Sequence, residues 1–300
     1  MSAVAIAGAG VGGLAAALAL QRAGVEATVF ERAETLEPLG AGLSLWPNAV
    51  HALRRLGVAL DGPRPDGGVY RWDGRLLAGD TAERIESRYG APLIVVHRAE
   101  LQAALLDALA PGTVTTGAPV IEVGQDADGV EVRGARFALF VAADGLQSLL
   151  ADGPPRASGL VAYRGVADHD VGQGRVGEFW GPGRVAGVVP LSGGRVYWFA
   201  TGPADADERG ELGAIFGAWA DPVGAVVGGA RDALRHELCD RPPLARWTDG
   251  RLTRLGDAAH PMLPFLGQGG CQALEDAVAL GAAVAEHGPT PAALAAYEAA

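Results

Sequence analysis

Asp257 stands between Gly256 and a Pro- and Gly-rich stretch, Pro264-Phe265-Leu266-Gly267-Gln268-Gly269-Gly270, which runs into the Ala-rich segment around Glu275, Asp276 and Ala277. The apolar run 252–255 reads as a strand feeding the turn. A strand that delivers a carboxylate to a glycine-rich loop, with a helix start behind it, suits a polyhydroxylated and partly anionic ligand. The Asp accepts hydrogen bonds from hydroxyls, the glycines let backbone N–H groups approach closely, and the helix start adds partial positive charge. The same spacing also describes an ordinary strand–turn–helix corner, and the rest of the chain decides between the two.

Near the other end, Gly8, Gly10 and Gly13 form a G-x-G-x-x-G after the apolar run that begins at Val4. Glu31 and Arg32 close a second apolar run, 27–30, about 20 residues on, which is the dinucleotide-binding arrangement. Gly8 permits the tight turn, Gly10 lets a pyrophosphate lie against the backbone, and Gly13 lets helix and strand pack closely. Glu31 would accept hydrogen bonds from the adenosine ribose. Residues 3–20 could also be taken for a signal peptide or a membrane span. No positive charge precedes them, however, and their four glycines suit a turn better than a continuous helix.

These groups need elements to carry them. After the first β-α-β unit, Gly40-Ala41-Gly42 with Pro47-Asn48 leads into an amphipathic helix over 49–56, and 68–77 reads as a hairpin turning at Asp73-Gly74. A helix starts at His97-Arg98-Ala99-Glu100 and runs to about residue 109. Strands are expected over 120–123, 130–133 and 137–141, with a hairpin turn at Asp128-Gly129, before Asp144-Gly145-Leu146-Gln147-Ser148. Residues 159–200 alternate in short, glycine-broken runs, the pattern of an antiparallel sheet. Helical stretches are expected over 209–219 and 222–238. The fold class is therefore α/β.

Composition narrows the function classes. Three hundred residues at 49% apolar content support one large domain or two modest ones. A net charge of −11 argues against nucleic acid or an anionic membrane as a partner. The 24 basic residues are all Arg and there are 45 Gly, a bias that reads as a GC-rich genome. Cys239 and Cys271 stand alone, so neither a disulfide framework nor a metal site is suggested, and a cytoplasmic setting fits.

Four segments together resemble the group A flavoprotein monooxygenases, the single-component FAD-dependent aromatic hydroxylases. They are Gly8 to Gly13 with Glu31-Arg32, His97-Arg98, Asp144-Gly145 with Ser148, and Gly256-Asp257 through Ala277. Tyr163-Arg164-Gly165, Pro190-Leu191 and Arg241-Pro242-Pro243-Leu244 with Trp247 are smaller echoes. The resemblance implies a doubly wound, Rossmann-like FAD domain (1–67, 97–158 and 245–300), interrupted by a substrate domain with a mainly antiparallel sheet (68–96 and 159–244). It implies FAD as cofactor and NADH or NADPH as a transient co-substrate, with no second dinucleotide fold. O2 and a small aromatic or heteroaromatic molecule would be the other reactants, hydroxylation proceeding through a C4a-hydroperoxyflavin.

By the same resemblance, Gly8, Gly10, Gly13, Glu31 and Arg32 hold the ADP half. Arg98 lies near the pyrophosphate or ribityl chain, Asp257 on the ribityl hydroxyls, and Asp144 and Gly145 at the motif linked to both nucleotides. Ser44 and Val120 are further cofactor contacts. The loop Pro264, Gly267, Gln268, Gly269, Gly270 lies against the isoalloxazine ring, with Phe265 facing it. Arg164, Trp180, Arg184 and Tyr197 are candidate substrate contacts, and alternation along strands places about half of the residues in this sheet on its other face. His260 and Tyr197 are the candidates for proton transfer, with no catalytic residue assigned. Cys271 reads as packing.

Two departures stand out. Ala151 occupies the place where the family carries an Arg three residues after the Ser, and the chain stops at Ala300 where relatives continue into further helices, so a more open site is expected. A flavin-dependent epoxidase, a prenyl-chain reductase or a non-catalytic flavin-binding paralogue shares these motifs. Substrate identity, the choice between NADH and NADPH, and oligomeric state stay open.

Overall fold

The computed structural model describes residues 3–36, 41–172 and 175–300; Gly40 of the Gly40-Ala41-Gly42 segment lies outside them. Val4–Ala7 is apolar at every position and fully buried, as a central parallel strand must be. It pairs in parallel with Ala27–Phe30 on one side and Leu139–Ala142 on the other. Leu252–Arg254 joins beyond Leu139–Ala142 and Val114–Thr115 beyond Ala27–Phe30, with Thr248–Asp249 as an antiparallel edge. Helices Val11–Arg22 and Gly269–His287 pack against each other over this six-stranded sheet. Their approach is close because the contact is made of small residues: a methyl group on Gly281 would lie 2.7 Å from Ala19 Cβ.

A seven-stranded sheet stands opposite. Its order is Leu234–Asp240, Arg156–Asp168, Arg195–Pro203, Arg184–Leu191, Gly177–Gly181, Gly67–Arg71, Leu76–Asp80, antiparallel except where Gly177–Gly181 meets Gly67–Arg71. One face buries Tyr163, Phe179 and Trp198 against Leu212, Phe216 and Val223, forming a second core. The other face looks toward the parallel sheet. A two-stranded ribbon, Gly42–Leu45 with Ile94–His97, lies between them: Leu45, Ile94 and Val96 join the first core, while Val95 packs with Leu191 and Tyr197.

Several boundaries differ from expectation. Residues 222–238 are not one helix: only Val223–Val226 is helical, and Leu234–Asp240 is a strand. Gly228 and Gly229 weaken a continuous helix, and the exposed edge of Arg156–Asp168 offers the ladder that captures 234–240. The strand expected over 120–123 begins at Val123. The run 137–141 divides at Ala138, with Ala135–Phe137 in a three-stranded antiparallel sheet and Leu139–Ala142 in the parallel one. Helix Ala82–Tyr89 was not anticipated, although Thr81 caps it, its Oγ1 accepting from the Arg84 N–H at 3.3 Å, and Gly90 closes it at φ +72.

Arg184 is fixed on the core side of the seven-stranded sheet. Its guanidinium donates to both Glu208 oxygens at 2.6 Å, with side-chain exposures of only 22% and 11%, and the Tyr163 hydroxyl accepts from the Glu208 N–H at 2.9 Å. Removing one partner strands the other charge. Glu208→Ala should therefore lower stability by about 3 kcal/mol in urea denaturation, and Arg184→Met with Glu208→Leu should recover most of it. Full stability of Glu208→Ala would show the pair to be solvated.

Candidate functional site

The carboxyl ends of the parallel strands meet at one place. Gly8 donates its N–H to the Phe30 carbonyl at 2.8 Å, Ala143 donates to Ala7 at 2.9 Å, and Leu255 donates to Ala142 at 2.9 Å. Chain order reverses here, since the first strand continues through Val11–Arg22 to one side while Leu139–Ala142 lies on the other; such crevices hold ligands in open α/β sheets. Gly8 has φ +99, and a methyl group there would lie 2.5 Å from the Ala143 carbonyl oxygen. At Gly13 it would lie 1.9 Å from the Gly8 oxygen, so Gly13 serves helix–strand packing and does not line the cavity. At Gly10, the N-terminal flank of the helix, it would meet nothing within 4 Å. Glu31 Oε2 accepts from the Ala9 N–H at 2.8 Å and Oε1 from the Ala33 N–H at 2.9 Å. Each oxygen keeps a lone pair for a ribose hydroxyl.

Asp144 follows the adjacent strand. Its Oδ2 accepts from the Leu149 N–H at 2.7 Å, while its Oδ1 is buried without a partner among the described residues. Gly145, at φ +78, leaves open space beside it. The loop beyond is held from outside: Arg254 donates to the Leu150 carbonyl at 3.1 and 2.5 Å, and Arg241 donates to the carbonyls of Leu146, Asp152 and Gly153 at 2.9, 3.3 and 2.7 Å. The sequence offered Arg241 only within an echo of the family, with no role, and Arg254 not at all, because both act on carbonyls far away in the chain.

Asp257 sits on the turn after Leu252–Arg254 and lines the cavity. Burial raises its carboxyl above the usual range, partly offset by the charges of His260 and Arg98. His260 points away from the cavity, and its Nε2 lies 2.6 Å from Asp276 Oδ2, which also accepts the Gly256 N–H at 2.8 Å. Burial lowers the imidazole pKa, but the hydrogen bond and charge of Asp276, with help from Asp257, outweigh it and hold it above the ordinary value. The dyad thus ties the Asp257 turn to helix Gly269–His287.

That helix begins in the glycine-rich loop. Gly267 adopts φ +61, Gln268 has no side-chain cap bond, and Pro264 through Gly270 line the cavity with the N–H end of a 19-residue helix. Asn48 Nδ2 donates to Gln268 Oε1 at 3.1 Å and to Glu275 Oε2 at 2.6 Å, fixing the loop against helix Pro47–Arg55. Trp46 Nε1 is buried beside Gly267 with no acceptor among the described residues. The Cys271 thiol contacts the Ser44 and Gly267 carbonyls, and burial pushes it up to about 11, so it is a packed, protonated group.

One cavity of about 1760 Å³ joins the Gly8–Gly10 turn, Glu31, Asp144, Asp257 and the glycine-rich loop to the face of the seven-stranded sheet. Among the expected cofactor contacts, Gly8, Gly10, Glu31, Arg32, Ser44, Arg98, Val120, Asp144, Gly145, Asp257, Pro264, Gly267, Gln268, Gly269 and Gly270 line it. Phe265, Arg164, Trp180 and Tyr197 line it as well; Arg184 does not, and Tyr163 and Trp198 belong to the second core. Burial raises the Tyr197 phenol, with the Arg164 charge working against it, so Tyr197 offers a proton and does not accept one near neutrality.

The site fits FAD on its own chemistry. The open space at Gly10 and Gly145 admits backbone-close phosphates, the Glu31 lone pairs and the Asp257 carboxyl meet hydroxyls, and the orphaned Asp144 Oδ1 and Trp46 Nε1 are polar groups lacking a partner where a ligand would lie. The volume exceeds what a small molecule alone occupies.

Comparison with known proteins agrees. The family described as FAD binding domain matches residues 1–151 and 241–299. An aurachin C monooxygenase/isomerase from Stigmatella aurantiaca is 40% identical over 99% of this chain and 84% of its own. An FAD-dependent urate hydroxylase from Klebsiella pneumoniae is 36% identical over 97% of this chain and 84% of its own. The crystal structure of Klebsiella pneumoniae HpxO with FAD and uric acid superposes with a TM-score of 0.90 at 32% identity, covering 99% of this chain and 83% of that one.

Two outcomes follow from this geometry. Gly10→Ala should leave the apoprotein's melting temperature unchanged, since its methyl group enters open space, yet weaken FAD about tenfold or more in a fluorescence titration. Gly8→Ala, with a clash and a positive φ, should instead lose folded protein. Equal FAD affinity in Gly10→Ala would refute the cradle.

The raised His260 pKa sets a sign for pH. Its stabilising bond is fully present below the unfolded value of about 6.5 and is lost as pH rises through the higher folded value. The melting-temperature gap between wild type and His260→Gln should therefore be largest near pH 5.5 and shrink toward about pH 9. A gap that widens with pH would reverse the assignment.

Proposed function

The chain belongs to the FAD binding domain family, and from that membership and the site we propose that it is an NAD(P)H-dependent monooxygenase that hydroxylates a small aromatic or heteroaromatic molecule. The observation that carries this reading is the single cavity, which runs from the dinucleotide crevice past the Gly267–Gly270 loop to a sheet face carrying Tyr197, Phe199 and Val189. When bound, FAD supplies the redox chemistry, accepting a hydride from NADH or NADPH and activating O2.

The protein's own groups bind, orient and shield. The N–H end of helix Gly269–His287, with no side-chain cap, presents oriented donors and partial positive charge where an anionic ring edge would lie. Because Asn48 and Glu275 fix the loop beforehand, these donors need no reorganisation when charge develops. Asp257 meets hydroxyls of the cofactor chain, and its raised pKa fits a carboxyl held in a dry environment. Phe265, Phe199 and Val189 exclude water from the space between loop and sheet. Tyr197 stands at the junction with its proton retained, placed to donate a hydrogen bond to a substrate oxygen.

The test is the visible spectrum of the purified holoprotein, followed anaerobically with NADH or NADPH and then in air with a panel of phenols and hydroxypyridines. The flavin bands should bleach, and one or more aromatics should couple NAD(P)H oxidation to oxygen uptake with a hydroxylated product. Bleaching with reduction of an added alkene, and no oxygen incorporated, would assign a reductase instead. A flavin that never bleaches with any panel member would leave a non-catalytic binder.

A further inference from the structure

One row of residues crosses the cavity face of the seven-stranded sheet. Arg164 is opposite Phe199, Phe199 opposite Gly187, Gly187 opposite Glu178, and Glu178 opposite Val69. Directly paired residues point to the same face, so the row displays a cation, an aromatic ring, a gap and a carboxylate in that order. The gap is filled by its neighbour, since a methyl group on Gly187 would lie 2.3 Å from the Phe199 ring. Phe199 therefore lies down across Gly187 and makes an apolar floor between the two charges. Three strand spacings put the Cα atoms of Arg164 and Glu178 about 14 Å apart, before their long side chains reach inward.

The two charges are not spent on each other or on nearby groups of opposite sign. Arg184 is paired with Glu208, Arg195 faces Glu100, and Arg235 reaches Glu237 and the Ala204 carbonyl. Arg164, half-buried on the same sheet, has neither a hydrogen bond nor an ion pair among the described residues and lines the cavity. Its field is felt by Tyr197 and His236, which flank it. Among the described residues Glu178 has one neutral partner, Trp180 Nε1 donating to its Oε2 at 3.0 Å, and its other oxygen has none. Burial raises its carboxyl above the usual range. A half-buried guanidinium without an acceptor is costly to keep unless a ligand supplies one, and its planar fork matches a carboxylate.

We infer that this row selects the substrate: Arg164 binds a carboxylate on an aromatic ring that lies over Phe199, and Glu178 accepts from a hydroxyl or amino group at the ring's other end. The substrate class is thus an aromatic acid bearing a hydrogen-bond donor. This rests on the reading of the sheet as the substrate wall, and it commits to more than that reading does. Glu178 also acts by exclusion, since a second carboxylate in place of the donor would face a like charge.

The test is binding to the FAD holoprotein, read from the perturbation of the flavin spectrum without turnover, with 3-hydroxybenzoate, phenol and isophthalate as probes. In wild type, 3-hydroxybenzoate should bind about tenfold to hundredfold more tightly than phenol, and isophthalate more weakly than 3-hydroxybenzoate. Arg164→Gln should abolish the preference for 3-hydroxybenzoate while leaving phenol and FAD affinity unchanged, which also shows the variant folded; Arg164→Lys should keep part of it. Glu178→Gln should narrow the penalty on isophthalate.

Equal affinity for 3-hydroxybenzoate and phenol in wild type, or no binding of any probe, would overturn the inference. So would a rise in the NADPH KM of Arg164→Gln with its carboxylate preference intact, which would place the guanidinium on the nicotinamide nucleotide. Hydroxylation of neutral phenols only would sink this inference and leave the monooxygenase reading standing. Tight carboxylate binding without oxygen incorporation would do the reverse.

Discussion

The contact on which the site depends is made between backbones. A methyl group on Gly13 would stand 1.9 Å from the Gly8 carbonyl oxygen, and one on Gly8 would stand 2.5 Å from that of Ala143. With no side chains to hold them apart, the first strand, the first helix and the turn after Leu139–Ala142 converge at one point. Their convergence leaves Gly10, Glu31, Asp144 and Asp257 around a common crevice at the carboxyl ends of four parallel strands. A side chain inserted there would part the helix from the sheet and misplace the donors by more than a hydrogen bond tolerates.

The second constraint joins this crevice to the cavity face of the seven-stranded sheet. Gly42, at the start of the two-stranded ribbon, lies so close to Tyr197 that a methyl group on it would meet Tyr197 Cβ at 2.4 Å. The ribbon therefore touches the seven-stranded sheet on one side. On the other, its Ser44 carbonyl takes the Cys271 thiol of the glycine-rich loop's helix. The glycine-rich loop's helix and the seven-stranded sheet are both registered against the same four residues. A shift in one is felt in the other through packed atoms, because close-packed interiors transmit displacement and do not absorb it.

What the sequence made legible follows from how local each signal is. The glycines at 8 and 10, the acid at Glu31 and the Gly256-Asp257 turn state backbone needs within a few residues and line the cavity, while Gly13 packs the first helix onto Gly8. Alternation said that half of the aromatic and arginine residues in 159–200 would turn away, but it had no means to choose. The choice was made by pairing: Tyr163 and Trp198 fell on the core face and Arg184 beside Glu208, a partner that only folding brings near. The strand Leu234–Asp240 was hidden for the same reason, since its identity comes from the edge it completes. Helix Ala82–Tyr89 is the exception, its Thr81 and Gly90 signals being local and simply passed over.

Beyond Asp144, where Ala151 lies, the loop is held by arginines from elsewhere in the chain. The resemblance places an arginine there, next to the loop that carries Asp144. In this chain Arg254, from the strand before the Asp257 turn, and Arg241, from the end of the strand Leu234–Asp240, together donate to four carbonyls between Leu146 and Gly153. Both reach the loop from elements whose own positions are fixed by sheet pairing, so its carbonyls are held without a side chain from 151. Their acceptors are neutral carbonyls, and among the described residues neither guanidinium is paired with a carboxylate. Loop contacts and positive charge at the Asp144 end are thus both supplied from outside the motif, by residues far from it in the chain.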